Sequence, residues 1–169
     1  MANGLTYTCT CRTPGATERL AASLAPRLRA GDIFLLDGDL GAGKTCFVQG
    51  VAQALGIQGD VTSPTFNILI SYEDGMLPLN HFDLYRLETA DQLYDIGYWD
   101  VLEGSGASFV EWGDRFPDDA PSDYVEIRMT VEEDGARIIR VHSYGERARR
   151  LLFLWGDSEE SGLMKADAN

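Results

Sequence analysis

The sequence has 169 residues and a formal net charge of −13, with an isoelectric point near 4.4. This length favours one domain built around one hydrophobic core. So acidic a composition argues against nonspecific nucleic-acid binding, because phosphates are neutralised by lysine and arginine. It still allows a role in RNA chemistry inside a complex whose other members supply the basic surface.

Cysteine content and hydropathy bear on where the protein works. The three cysteines are few and odd in number, which argues against a disulfide framework. No apolar run approaches the roughly 20 residues of a membrane helix. The N-terminus lacks the basic segment and apolar core of a secretory signal. We therefore expect a cytoplasmic protein with no membrane contact.

Periodicity and turn residues predict strands and helices along most of the chain. Leucines at every fourth position from Leu20 to Leu28 indicate a helix that Pro26 should kink or split. The other elements, in chain order, are an edge strand at 5–11, a strand at 33–36, a helix at 46–55, a hairpin of strands 66–72 and 77–84, a short helix at 89–96, a helical turn or second short helix at 97–102, a strand at 107–112, a hairpin of strands 124–131 and 136–142, and a helix at 146–155. We expect residues 1–155 to form the domain and residues 156–169 to form a disordered acidic tail.

The segment Gly38–Thr45 fits the pattern G-x-x-x-x-G-K-[ST] and lies between the predicted strand 33–36 and the helix after it. This context is typical of a phosphate-binding loop, whose backbone N–H groups and helix N-terminus bind anions. A glycine-rich turn that binds nothing is the alternative. Lysine is rare, however: Lys44 and Lys165 are the only lysines among 14 basic residues. The candidate phosphate-binding residues are Gly38, Asp39, Leu40, Gly41, Ala42, Gly43, Lys44, Thr45 and Cys46.

Further polar residues occur where strands end or loops begin. Alternation places His81, Asp83 and Tyr85 on one face of the strand 77–84, and Glu111 ends the strand 107–112. Active sites of open α/β sheets lie at the carboxyl ends of strands. Asp83 and Glu111 are therefore candidate site residues, although His81 also fits a structural role and Glu111 also fits an ion pair at the rim. Hydroxyl groups around Pro64 suit an ordered loop near a polyanion, formed by Thr62, Ser63 and Thr65, and equally fit an ordinary loop.

Four stretches together resemble the TsaE (YjeE) family. They are Gly38–Thr45, Ser63-Pro64-Thr65-Phe66, His81-Phe82-Asp83-Leu84-Tyr85-Arg86 and Glu111-Trp112. The phosphate loop is common to many families, whereas H-F-D-L-Y-R followed by E-W is far more specific. The resemblance implies an α/β, three-layer fold of the P-loop NTPase type, in which helices flank a mixed central β-sheet.

The same resemblance implies an activity and its residues. The protein would bind ATP with Mg²⁺, hydrolyse it slowly, and support a TsaD–TsaB-type complex in threonylcarbamoyladenosine modification of tRNA, which it would meet only through that complex. Lys44, Asp83 and Glu111 would be catalytic. Thr45 and Glu111 would serve Mg²⁺. The loop of Thr62, Ser63 and Thr65 would sense the nucleotide. His81, Tyr85, Arg86 and Trp112 would lie near the site. Cys46 departs from the family, which usually has a hydroxyl residue there.

Three other functions share the phosphate loop. A small-molecule or nucleoside kinase should carry a basic lid, but the stretch from Leu87 to Gly106 contains no arginine or lysine. A regulatory GTPase should carry D-x-x-G and N-K-x-D, and neither occurs. A scaffold with a degenerate site would not need Lys44, Asp83 and Glu111 together. The kinase remains the main alternative.

Overall fold

A computed structural model describes residues 4–39 and 41–166. These residues form one mixed sheet of eight strands. The strands are β1 Thr6–Cys11, β2 Ile33–Gly38, β3 Leu69–Tyr72, β4 Leu79–Asp83, β5 Ala107–Glu111, β6 Tyr124–Val131, β7 Arg137–Tyr144 and β8 Met164–Lys165. Their order across the sheet is β3-β4-β5-β2-β6-β7-β1-β8.

Helices cover both faces of the sheet, which gives the predicted three-layer α/β fold. The helices are α1 Pro14–Leu24, α2 Lys44–Ala54, α3 Asp91–Asp95, α4 Tyr98–Leu102 and α5 Glu146–Gly156. One core cluster joins α1, α2 and α5 to the sheet, and a second joins α3 and α4 to its other face. Alternation along β2 serves both clusters, because Phe34 and Leu36 belong to the first and Leu35 to the second.

The centre of the sheet is parallel. Strands β4, β5, β2 and β6 run in the same direction, and the outer pairs are antiparallel. In this register Glu111 lies opposite both Leu36 of β2 and Asp83 of β4. The glycine loop that follows β2 and the two predicted carboxylates therefore meet at one edge of the sheet.

Most of the predicted elements are confirmed, with shifts at their ends. Pro26 splits the first helix: α1 ends at Leu24, and a 3₁₀ turn continues it through Arg27. Both predicted hairpins are antiparallel pairs. The first one starts at Leu69 rather than at the predicted residue 66, because Ile68 has a φ of 68°, which extended strands do not use.

The prediction of a disordered tail over residues 156–169 is wrong for residues 156–166. Gly156 ends α5, a 3₁₀ turn follows at Glu159–Ser161, and β8 pairs with Tyr7 and Thr8 of β1. Ser161 and Leu163 are buried, so two side chains anchor an otherwise polar segment. As a result β1 is not an edge strand, since β7 and β8 flank it. Residues 167–169 lie outside the described range.

The described helices are short, and none of them combines the length and apolar content needed to cross a bilayer.

Helix α5 packs across the helical layer. Its Trp155 is fully buried, its indole N–H donates to the Ser23 hydroxyl of α1 at 2.9 Å, and its ring meets that of Phe47 of α2 at 6.3 Å. One side chain thus joins the C-terminal helix to the first two helices.

We expect Trp155→Ala to lower the free energy of unfolding by about 3–5 kcal/mol, because it leaves a cavity and removes the partner of a buried hydroxyl. Urea denaturation followed by circular dichroism measures the change. Phe153→Ala on the same helix is the control: that ring is exposed, and its loss should change stability by about 0.5 kcal/mol or less. Equal effects of the two changes would contradict the proposed role of Trp155.

Candidate functional site

The glycine loop after β2 is shaped by residues that must be small. A Cβ atom at Gly38 would lie 2.7 Å from the Met129 carbonyl oxygen, and Gly41 and Gly43 have φ values of 83° and 109°. Gly43 is the N-cap of α2 and has no side chain that could bond the first N–H groups of the helix. These groups are therefore available to an anion. Leu40, predicted here, lies outside the described residues.

Lys44 is the first residue of α2 and reaches back over the loop. Its ammonium donates to the Gly38 carbonyl at 2.8 Å and lies 3.8 Å from Glu111 Oε1. The Trp112 ring centroid is 5.3 Å away on another side. Lys44 is only 8% exposed, so its charge depends on these neighbours for compensation.

Glu111 is held from two directions at the end of β5. The His81 Nε2–H of β4 donates to Oε2 at 2.7 Å, while Oε1 faces Lys44. His81 is fully buried, and its other ring nitrogen, Nδ1, has no hydrogen-bond partner among the described residues. The histidine therefore lies behind the carboxylate and does not line the cleft. From that position it fixes the orientation of Glu111.

Asp83 ends β4 beside Glu111 and is tied to the hydroxyl loop. The Thr65 hydroxyl donates to Oδ2 at 3.1 Å, and the Ser63 hydroxyl is 2.9 Å from that of Thr65. The backbone N–H of Tyr85 donates to Oδ1 at 3.0 Å. Both carboxylate oxygens therefore accept hydrogen bonds, and a change at Asp83 would be felt directly by Thr65 and Ser63.

Two aromatic rings form the mouth of the site. Tyr85 and Trp112 lie with centroids 5.0 Å apart, and both are partly exposed. Trp112 follows Glu111 directly with a φ of 61°, an uncommon conformation for a bulky residue. This turn directs the chain away from the sheet and leaves the indole beside Lys44.

These groups line a cleft of about 700 Å³. Its lining consists of Asp39, Gly41, Gly43, Lys44, Thr45, Cys46, Ser63, Thr65, Asp83, Tyr85, Glu111 and Trp112. Each of these residues was predicted from the sequence.

Five predicted residues with described positions lie outside the cleft lining. Gly38 and Ala42 support the loop from behind, and His81 supports Glu111. The Thr62 N–H donates to the Tyr72 hydroxyl at 3.3 Å, and Thr62 faces a different groove. The Arg86 guanidinium lies over the Phe66 ring at 5.2 Å.

Sequence reasoning missed Arg137, which lies on β7 far from the loop in the sequence. Its guanidinium donates to the carbonyls of Ala42 and Gly41 at 3.0 and 3.1 Å. These bonds fix two carbonyls of the glycine loop to the second hairpin. The only local signal is an arginine just after the Asp-Gly turn of the second hairpin, which does not by itself indicate a contact.

A second cavity of about 240 Å³ adjoins the cleft, since both are lined by Gly41, Gly43 and Cys46. Its other walls come from the β1–α1 junction and the second hairpin, namely Cys11, Arg12, Thr13, Pro14, Thr17, Gly135 and Arg137. Burial, followed by the nearby Glu18 carboxylate, raises the pKa of the Cys46 thiol. The neutral thiol contacts the Pro14 carbonyl at 3.6 Å and lies between the two cavities, since it lines both.

The oxygen atoms around the cleft can contribute to a hard cation but cannot enclose one. Thr45, Asp83 and Glu111 all line the cleft, yet the described residues contain no group of three or more His, Cys, Asp or Glu placed to hold a metal ion. This donor set fits a cation such as Mg²⁺, which keeps several waters and binds one or two protein oxygens plus phosphates.

Comparisons with known proteins identify the family to which the chain is similar. Residues 11–139 match the family model described as threonylcarbamoyl adenosine biosynthesis protein TsaE. The protein of that name from Treponema pallidum is 41% identical over 133 residues, which cover 79% of this chain and 98% of the relative. Its Bacillus subtilis counterpart is 39% identical over 138 residues, covering 82% and 86% of the two chains.

The fold has a close match among solved structures as well. The crystal structure of Bacillus subtilis YdiB superposes with a TM-score of 0.78 at 31% identity, covering 92% of this chain and 97% of that one. The family model spans the glycine loop, the hydroxyl loop and both carboxylates. The chain therefore belongs to the TsaE family of threonylcarbamoyl adenosine biosynthesis proteins.

Proposed function

We propose that this protein binds ATP with Mg²⁺ in the cleft, hydrolyses it slowly, and supports a TsaD–TsaB-type complex in threonylcarbamoyladenosine modification of tRNA. The observation that carries the proposal is the convergence of Lys44, Asp83 and Glu111 on one glycine loop. The protein would not transfer the threonylcarbamoyl group itself. It would contact tRNA only through the complex. It would act in the cytoplasm.

The outer phosphates of ATP suit the loop at Gly38–Thr45. Backbone N–H groups at the start of α2 would bind them, and the Lys44 ammonium would exchange the Gly38 carbonyl, 2.8 Å away, for a phosphate oxygen. Such an exchange weakens the contact of Lys44 with Glu111. The Glu111 carboxylate would then be free to bind Mg²⁺, and its hydrogen bond with His81 would keep it oriented.

Thr45 and Glu111 would hold the magnesium ion, which when bound would neutralise charge on the phosphates. Asp83 would lie close to the γ-phosphate and orient either water or the metal. Because the Thr65 hydroxyl donates to Asp83, a change at Asp83 on hydrolysis would reach the hydroxyl loop. Thr62, Ser63 and Thr65 would in this way sense the nucleotide.

The second cavity is the candidate site for the adenine ring. It shares residues with the phosphate loop, and its other walls are the end of the N-terminal strand and the second hairpin. These two segments have no role in the proposed binding of phosphate or Mg²⁺, apart from Arg137. Arg137, which braces the loop, also lines this cavity. It would therefore contact both the loop and the base.

The proposal of slow hydrolysis is supported by the lack of arginine in the described cleft lining. Arg86 stacks over Phe66, and the Arg115 guanidinium donates to the Leu87 carbonyl. Phosphoryl transfer is accelerated strongly by an arginine at the γ-phosphate. A partner protein would supply that group, which agrees with a role inside a complex.

The kinase alternative gains no support from the segment where a lid would lie. Leu93, Tyr98 and Leu102 of α3 and α4 are buried in the second core cluster, so this segment is part of the folded layer. Its lack of arginine and lysine also leaves nothing to bind a transferred phosphate.

We expect Lys44→Ala to weaken ATP binding at least tenfold, because the outer phosphates lose their cation. Isothermal titration with ATP and Mg²⁺ measures the affinity. Lys165→Ala is the matched control, since it removes the other lysine, which is exposed on β8. Unchanged affinity in Lys44→Ala would rule out phosphate binding by this loop.

We expect Glu111→Gln to reduce the rate of ATP hydrolysis by about 10²-fold while ATP affinity changes little, because the charge matters most in the transition state. Phosphate release under single-turnover conditions gives the rate. Glu103→Gln, at an exposed residue just after α4, should hydrolyse ATP normally. If Glu111→Gln did so too, Glu111 would have no role in hydrolysis.

We expect purified TsaD- and TsaB-type proteins to bind this protein with ATP and less well without it. Co-purification under both conditions, followed by tRNA modification in the reconstituted system, tests the pathway role. The Lys44→Ala protein should lose the ATP dependence. Robust phosphorylation of a nucleoside or sugar in a substrate screen, without any effect on tRNA modification, would favour the kinase instead.

A further inference from the structure

The second hairpin holds the glycine loop through one side chain. Arg137, the first residue of β7, donates from Nε to the Ala42 carbonyl at 3.0 Å and from Nη2 to the Gly41 carbonyl at 3.1 Å. A guanidinium group is planar and carries its donors in a fixed fork, so it can hold two adjacent carbonyls in one geometry. The position of these two loop peptides relative to β7 therefore depends on Arg137.

The turn that carries Arg137 is itself fixed. The guanidinium makes a third contact from Nη1 to the Gly135 carbonyl at 2.6 Å. One oxygen of Asp134 accepts from the Ala136 backbone N–H at 3.0 Å, and the other accepts from Arg12 at 3.3 Å. These bonds order the turn of the hairpin, so the side chain of Arg137 starts from a defined position next to the loop.

The charge of Arg137 is not neutralised by a carboxylate. Among the residues that the structure describes, its three hydrogen bonds go to carbonyl oxygens and it forms no ion pair. The charge also reaches the start of α2: burial does most to raise the pKa of the Cys46 thiol, and the Arg137 guanidinium acts in the opposite direction. The loop carbonyls thus face a cation that keeps its field.

A cation at a carbonyl oxygen changes the N–H group of the same peptide. Electron density moves from the nitrogen toward the oxygen, which makes the N–H a stronger donor. The Ala42 carbonyl shares its peptide with the N–H of Gly43, which is the N-cap of α2 and lines the cleft. The Gly41 carbonyl shares its peptide with the Ala42 N–H, which donates to the Asp39 carbonyl at 3.0 Å. Arg137 therefore acts on one peptide at the anion site and on one peptide inside the turn of the loop.

The loop also benefits from being held before a ligand arrives. Gly41 and Gly43 have φ values of 83° and 109°, and glycine has more backbone freedom to lose than any other residue. A loop that is fixed in advance loses less conformational entropy when its ligand binds. Both effects strengthen the binding of phosphates, and neither of them involves a nucleoside.

We propose that Arg137 is a positioning residue of the phosphate-binding loop, which acts through the Gly41 and Ala42 carbonyls to raise the affinity for a polyphosphate chain with or without a nucleoside. This role rests on the proposed function, since it takes the loop as the phosphate site. It is separate from a contact of Arg137 with the adenine ring, which would affect nucleotides alone. Arg137 lines the second cavity and not the cleft, so the turnover rate should not depend on it.

The test compares ATP, ADP and inorganic tripolyphosphate, each with Mg²⁺, by isothermal titration of the full-length protein. Arg137→Met keeps an unbranched side chain without donors or charge, and should bind all three ligands about tenfold more weakly. The turnover rate at saturating ATP should stay within about twofold of wild type, because uniform binding is lost. Arg137→Lys should recover part of the affinity, since an ammonium keeps the charge but lacks the fork. Arg140→Met, at an arginine of the same strand that lines neither cavity, is the control and should bind as wild type does.

Unchanged tripolyphosphate affinity in Arg137→Met would overturn the proposal. A loss confined to ATP and ADP would also overturn it, because the effect would then come from the base. Urea denaturation reports whether Arg137→Met is folded; if it is not, Arg137→Lys decides, and tripolyphosphate affinity equal to that of wild type would count against the proposal. Failure of the proposed function is a different result, since wild type itself would then bind neither ATP nor tripolyphosphate.

Discussion

The site depends on the compensation of one buried positive charge. Lys44 is nearly enclosed by protein, and removing an ammonium from water is costly unless carboxylates or carbonyls replace its hydration. Glu111 and the Gly38 carbonyl fill that role, and His81 keeps Glu111 in place. The residues that make these contacts lie on β2, β4 and β5. The charge of Lys44 is therefore compensated only when these three parallel strands are correctly paired.

Support for this arrangement comes from two outer layers. Arg137 on β7 holds the loop carbonyls from the cavity that adjoins the cleft. Trp155 on α5 packs against Phe47, three residues after Lys44 on α2, and donates to Ser23 of α1. The loop is therefore flanked by a fixed hairpin and a fixed helix. The hydroxyl loop contacts Asp83 through the Thr65 hydroxyl, which in turn lies 2.9 Å from that of Ser63.

The central cleft residues could be predicted from local sequence patterns, whereas the three-layer fold class was implied by the resemblance to the TsaE family. Lys44 and Thr45 lie inside a continuous motif, and Asp83 and Glu111 end strands whose alternation is visible in the sequence. Arg137 could not be predicted, because its contact depends on the strand order β2-β6-β7, which periodicity does not determine. The segment 157–166 looked disordered because its order comes from two buried side chains, Ser161 and Leu163, and from pairing with β1.

Trp112 is an intrinsic fluorescence probe of the cleft. Of the tryptophans at 99, 112 and 155, Trp112 lines the cleft, whereas Trp155 is sealed in the core. Its ring centroid lies 5.3 Å from the Lys44 ammonium, at the mouth of the cleft. An indole excited state is sensitive to the electric field of a charge at that distance. Any anion that draws Lys44 away from Glu111 should therefore alter the emission of this residue, while the buried indole provides a constant background.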